Sequence, residues 1–185
     1  MLSESTIREP LRARLAVREV AHAPPSSGTA SAVLVPLFER DGDVHLWLVR
    51  RASTLRKHSG QVAFPGGKTD LADTSGRATA LREADEEIGL TPSSVDVLGQ
   101  LDDLVTGTGF TISPFVGWVA VAFTPRPNPA EVARVFDAPL REFFARPDGA
   151  PPLSGHTVDG ELVWGATAKI VGDLVKLLRE LGVTS

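Results

Sequence analysis

The hydrophobic positions of the chain fall into two periods, and the changes between them mark its elements. Residues 32–38 (AVLVPLF) and 44–49 (VHLWLV) are near-continuous apolar runs. Asp41-Gly42 between them is a strong two-residue hairpin signal, so two paired strands are predicted there. Residues 95–104 and 111–123 carry further strand patterns, joined by the glycine-containing turn VTGTGF. Residues 156–164 read as another hairpin, across Asp159-Gly160.

Elsewhere the period is helical. At about 100° per residue, Ala80, Leu81, Ala84 and Ile88 share one apolar stripe. Ser75 or Thr74 can cap that helix, because a short hydroxyl accepts from the free N–H groups of the first turn. Gly89 can close it in a left-handed conformation, with Leu90 as the hydrophobic contact that follows. A last helix, residues 167–181, carries Ile170, Leu174, Leu177, Leu178 and Leu181 at core spacing. Residues 130–136 and 139–144 are expected as two short helices, the second with Pro139 in its first turn. The first 20 residues suggest a short helix interrupted at Pro10, whose arginines read as solvated surface, followed by a loop through residues 23–28. This order implies an α+β or α/β fold.

At 185 residues, with 42% hydrophobic and 23% charged side chains, the chain is expected to form one globular domain spanning 1–185, residues 1–29 being an N-terminal extension. A formal net charge of −4 argues against a general nucleic-acid binder. The absence of cysteine removes disulfides and thiol chemistry. No apolar run is long enough to cross a bilayer, and the start lacks the pattern of a secretory signal, so a cytoplasmic protein is expected. The sequence does not specify an oligomeric state.

Charge becomes informative only locally. Glu83, Glu86 and Glu87 stand at i, i+3 and i+4 and share one helix face. Glu87 projects only about 20° from Ala80, so it is expected at the edge of the core. Three crowded carboxylates repel one another, and Arg82, four residues before Glu86, does not neutralise them all. A hard divalent cation, Mg²⁺ or Mn²⁺, suits an all-oxygen set. Upstream, Pro65, Gly66 and Gly67 form a loop whose backbone can approach a ligand closely. Before it, Arg50, Arg51, Arg56, Lys57, His58 and Lys68 cluster, which suits a small phosphate-bearing molecule. Arg51 and Arg56 can grip phosphate in two-pronged fashion, and His58 can donate a hydrogen bond or fix the loop.

Residues 67–90 closely resemble the Nudix box, G-x5-E-x7-R-E-U-x-E-E-x-G-U with U aliphatic. Gly67, Arg82-Glu83, Glu86-Glu87, Gly89 and Leu90 match. Asp73 stands where the family has glutamate, eight residues rather than seven separate it from Arg82, and Ala84 is small for its aliphatic position. Residues 47–70 resemble the signature of the coenzyme A pyrophosphatase branch, roughly L-L-T-x-R-S-x-x-L-R-x-H-x-G-Q-V-x-F-P-G-G-x-x-D. Arg51, Leu55, Arg56, His58, Gly60, Gln61, Val62, Phe64, Pro65, Gly66, Gly67 and Asp70 fit, while Trp47, Val49 and Ala52 depart from it.

The resemblance implies a mixed β-sheet between helices, the α/β/α sandwich of the Nudix fold. It implies a metal-dependent pyrophosphohydrolase that cleaves coenzyme A or an acyl derivative to 3′,5′-ADP and the corresponding phosphopantetheine. Glu83 and Glu87 are then the expected metal ligands, with Glu86 a further ligand or the water-orienting base. Arg82 holds the carboxylates, Asp73 assists, and Glu131 is a candidate base from a later segment. Arg51, Arg56, His58, Gln61, Gly66, Gly67 and Lys68 are the expected substrate contacts, and VTGTGF is either a substrate-side loop or an ordinary hairpin turn. Alternatives are another substrate, such as ADP-ribose or a nucleoside triphosphate, or a non-catalytic module that senses a nucleotide. The expected partner is a small molecule, with neither nucleic acid nor membrane involved.

Overall fold

Strand β1 (Thr29–Arg40) is the axis of the sheet, and it turns into β2 (Asp43–Arg51) across Asp41-Gly42. Both turn residues have positive φ, 53° and 76°, the conformation that lets a two-residue loop follow the twist of its strands. In this computed structural model, residues 2–24, 27–53, 60–120, 123–144 and 155–184 are described. Along its other edge β1 runs parallel to β7 (Phe110–Val119), which pairs antiparallel with β5 (Val95–Gln100) and β6 (Leu104–Val105). Short strands β3 (Val62–Ala63) and β4 (Gly66–Lys68) pair with β2 and β1 respectively, and β8 (Val132–Pro139) pairs antiparallel with β2.

Successive side chains of a strand face opposite sides, and here both sides are covered. Leu34, Trp47, Val49 and Phe115 pack with Ala80, Ala84 and Ile88 of helix α2 (Gly76–Ile88). Val35, Leu46, Leu48 and Val116 pack with helix α1 (Glu4–Val17) and helix α4 (Gly165–Glu180), near the short helix α3 (Leu140–Phe144). Strands β9 (His156–Val158) and β10 (Glu161–Val163) form a separate hairpin across Asp159-Gly160. The result is a mixed sheet between helical layers, as the resemblance implied. No described helix is long and apolar enough to cross a membrane.

Several local expectations are overturned. Residues 132–139 form strand β8, not a helix, because β2 offers an open edge that this segment pairs along from His45↔Pro139 to Arg51↔Val132. Its Val132, Phe136 and Ala138 are buried, and Arg134 instead meets Glu161 at 3.1 Å. The helix over 139–144 does form, but Pro139 ends the strand that precedes it. The N-terminal helix runs unbroken through Pro10. Pro10 is exposed, while Ile7, Leu11 and Leu15 are buried against the sheet, a gain that exceeds the proline cost of about 3 kcal/mol. Its arginines are not merely solvated: Arg8 and Arg12 share Asp96 of β5, and Arg18 meets Asp102 at 2.6 Å. The strand pattern over 95–104 splits into β5 and β6 around residues 101–103. There the Asp103 N–H donates to the Ala21 carbonyl at 3.0 Å instead of to a neighbouring strand, and its carboxylate accepts from Gln100, Ser113 and the Ala23 N–H.

Candidate active site

Helix α2 begins where Ser75 accepts a hydrogen bond from the Ala78 N–H at 3.1 Å. It ends at Gly89, left-handed with φ 72°, and the Leu90 N–H returns to the Ala84 carbonyl. The last carbonyls find partners further along the chain: the Arg126 N–H donates to Ile88 at 2.8 Å and the Asn128 N–H to Glu87 at 2.9 Å. The Asn128 carbonyl then accepts from Glu131, whose own carbonyl accepts from the Ala52 N–H. One loop thus closes the acidic helix and lays Glu131 beside the end of β2, next to Arg51. Nothing in the sequence of residues 126–131 announces this link; an Asx turn at Asn128 is its only local sign.

Glu87 lies deeper than its helical angle suggests, with its side chain only 1% exposed. Its Oε2 accepts from the Gly66 N–H at 3.1 Å and its Oε1 from Arg51 Nη1 at 3.3 Å. Burial pushes its pKa up to about 7; Gly66 and Arg51 oppose the rise, while Glu83 and Glu131 add to it. Glu83 is mostly buried, and its pKa is likewise raised by desolvation against the pull of Arg82. Its carboxylate lies over Gly67, where any side chain would overlap it. Glu86, 54% exposed, faces outward.

Arg82 separates these acids. Its Nη1 reaches Glu83 at 2.9 Å and Glu86 at 3.0 Å, its Nε and Nη2 hold both oxygens of Asp73, and Nη2 also donates to the Lys68 carbonyl. Asp73, further held by the Asp70 N–H and the Thr79 hydroxyl, stays well below the usual carboxylate range, Arg82 being the largest cause. The shorter acid at this position therefore serves the arginine. Lys68 is exposed, with its ammonium 5.9 Å from the Phe110 ring at the base of the β6–β7 turn. The stretch VTGTGF forms that turn. Gln61 precedes β3, and its carbonyl accepts from the Arg51 N–H at 3.0 Å. Arg56 and His58, expected as substrate contacts, lie outside the described residues.

The fold thus brings Arg51, Gly66, Gly67, Arg82, Glu83, Glu86, Glu87 and Glu131 to one place. The donors are all carboxylate oxygens, and burial disfavours ionisation of Glu83 and Glu87, so a hard divalent cation fits the set. Among the described residues no three His, Cys, Asp or Glu side chains already converge at metal-binding distance, and Arg82 and Arg51 stand among the acids.

A pH dependence follows for the metal-free protein. A carboxyl whose folded pKa is raised stabilises the fold fully below its unfolded value, near 4.5, and that contribution is lost as pH rises through about 7. For Glu87 the loss is on the order of 3 kcal/mol. Chemical denaturation in a chelating buffer is expected to show stability falling between about pH 4.5 and pH 7. A flat profile, or the same slope in Glu87→Gln, would contradict this assignment.

A sequence profile of the NUDIX domain matches residues 28–163. An uncharacterized Nudix hydrolase NudL of Photorhabdus laumondii is 40% identical over 159 residues, covering 80% of this chain and 84% of its own length. Among solved structures, a NUDIX hydrolase from Alicyclobacillus acidocaldarius superposes with a TM-score of 0.63 at 22% identity, over 88% of this chain and 99% of the other. The NUDIX domain of Shewanella oneidensis NrtR, solved with ADP ribose, gives 0.58 at 17% identity, over 87% of this chain and 94% of the other.

Proposed function

The chain belongs to the Nudix family, and from that membership we propose that this hydrolase of phosphorus anhydrides cleaves the diphosphate of coenzyme A or an acyl-coenzyme A. The products are 3′,5′-ADP and the corresponding 4′-phosphopantetheine. One observation carries the reading: the basic stretch that ends β2 meets the acidic helix directly, at Arg51 and Glu87. Anion-gripping and cation-holding groups therefore flank a single glycine loop. The extended resemblance of residues 47–70 supports coenzyme A as the substrate.

Glu83 and Glu87, joined by Glu86, would hold Mg²⁺ or Mn²⁺, which when bound neutralises charge on the diphosphate oxygens as water attacks phosphorus. Gly67 leaves the space in which the Glu83 carboxylate lies. Arg82 keeps Glu83 and Glu86 apart and oriented, and cannot serve as an acid because its guanidinium stays charged. Glu131, or Glu86, takes the proton of the attacking water. Arg51 grips the diphosphate, and Arg56, His58, Gln61 and Lys68 supply further substrate contacts.

Coenzyme A carries a 3′-phosphate that ADP-ribose lacks. Losing one charge-assisted contact to it should lower kcat/KM for the 3′-dephospho form roughly ten- to a hundredfold. A substrate panel with products identified by mass spectrometry tests this. Equal rates on the two forms, or faster cleavage of ADP-ribose, would move the assignment to a general nucleoside-diphosphate hydrolase.

A further inference from the structure

Arg51 is the point where the two halves of the site touch, and its contact is incomplete. Its Nη1 lies 3.3 Å from Glu87 Oε1, while its buried Nε has no hydrogen-bond partner among the described residues. We propose that Arg51 and a divalent cation exchange places on Glu87: the guanidinium occupies the carboxylate in the metal-free enzyme, and metal binding releases it toward the substrate diphosphate. The inference rests on the functional reading above and adds to it a coupling between metal and substrate.

The two oxygens of Glu87 differ in how they are held. Oε2 is held by the Gly66 N–H, a backbone donor fixed by the pairing of β4 with β1, so it does not move aside. Among the described residues Oε1 carries no backbone donor, and the group on it is the Arg51 guanidinium. Arg82 is a poor candidate for release, because its fork also holds both oxygens of Asp73 and the Lys68 carbonyl. Arg51 has no such second anchor on its guanidinium among the described residues, and its side chain is 24% exposed, which gives it a path outward. Two cations on one carboxylate oxygen repel, so the arginine leaves most readily when another anion receives it. A diphosphate offers several acceptors to a planar fork that now has one. Metal and diphosphate then tighten each other's binding, and reciprocally so.

The test is Mn²⁺ binding to the full chain without substrate, by titration calorimetry at about pH 8, above the value of about 7 to which burial raises Glu87. Arg51→Met is expected to bind Mn²⁺ about tenfold more tightly than wild type, since the competing cation is gone. Arg50→Met removes the same charge from the neighbouring residue, whose side chain meets Glu161 at 3.5 Å instead of the acidic helix. It is expected to change the affinity by less than about twofold. If the Met variant does not fold, Arg51→Gln carries the same expectation. An Arg51 variant no tighter than the Arg50 control overturns the exchange, while loss of Mn²⁺ from Glu87→Gln would leave the metal site standing. Unchanged Mn²⁺ binding in Glu87→Gln overturns both.

Discussion

Glu87→Gln is expected to lower kcat by about a thousandfold or more and to leave the protein folded. The size comes from replacing an anionic ligand with a neutral amide where charge must be compensated in the transition state. The intact fold follows from shape, because glutamine fills the same volume and its amide oxygen can still accept from the Gly66 N–H. Arg51 loses its anion but is partly exposed and can turn to water. Glu83→Gln should come close in effect, and Glu86→Gln should cost less, because Glu86 stands half in solvent at the rim. The measurement is kcat at saturating Mg²⁺ beside the melting temperature, and exhaustive chelation should abolish wild-type turnover. Turnover by Glu87→Gln within tenfold of wild type, or activity that survives chelation, would sink the metal-assisted mechanism.

Alanine at the two loop glycines is expected to separate chemistry from folding. A methyl group on Gly67 would fall within 2.5 Å of both Glu83 carboxylate oxygens. The side chain can yield, so Gly67→Ala should displace the carboxylate and lower kcat about a hundredfold, the usual consequence of moving a reacting group by roughly 1 Å. Its melting temperature should change little. A methyl on Gly66 would instead overlap the Ala32 carbonyl oxygen and come within 2.7 Å of the Val33 Cα. Backbone cannot step aside without breaking the β1–β4 pairing, so Gly66→Ala should destabilise the whole domain by several kcal/mol. Kinetics and thermal melts on both variants decide the matter. Equal activity losses with equal melting shifts would mean that the loop acts as one unit and that Glu83 has no special claim on the space above Gly67.

Much of this protein is written locally. Asp41-Gly42 and Asp159-Gly160 select their turns through the backbone preferences of two residues, and both hairpins follow. Ser75 and Gly89 bound the acidic helix through bonds that span at most six residues, so its limits and the shared face of Glu83, Glu86 and Glu87 were legible from spacing. The order of motifs from Arg51 to Leu90 carried the family. What spacing could not supply was depth. A position 20° from a buried alanine can lie at a rim or in the interior, and only the packing of α2 on β1 buries Glu87 and shifts its ionisation. Nor does any local pattern place Arg51 on that carboxylate, since the contact joins residues 36 apart through the end of β2 and the pairing of β4. Residues 130–136 read as helical for the same reason: Val132, Val135 and Phe136 suit a helical face, yet the open edge of β2 offers residues 132–139 a ladder of hydrogen bonds. The two periods cost an isolated segment nearly the same, and the partner that decides between them is distant in the chain.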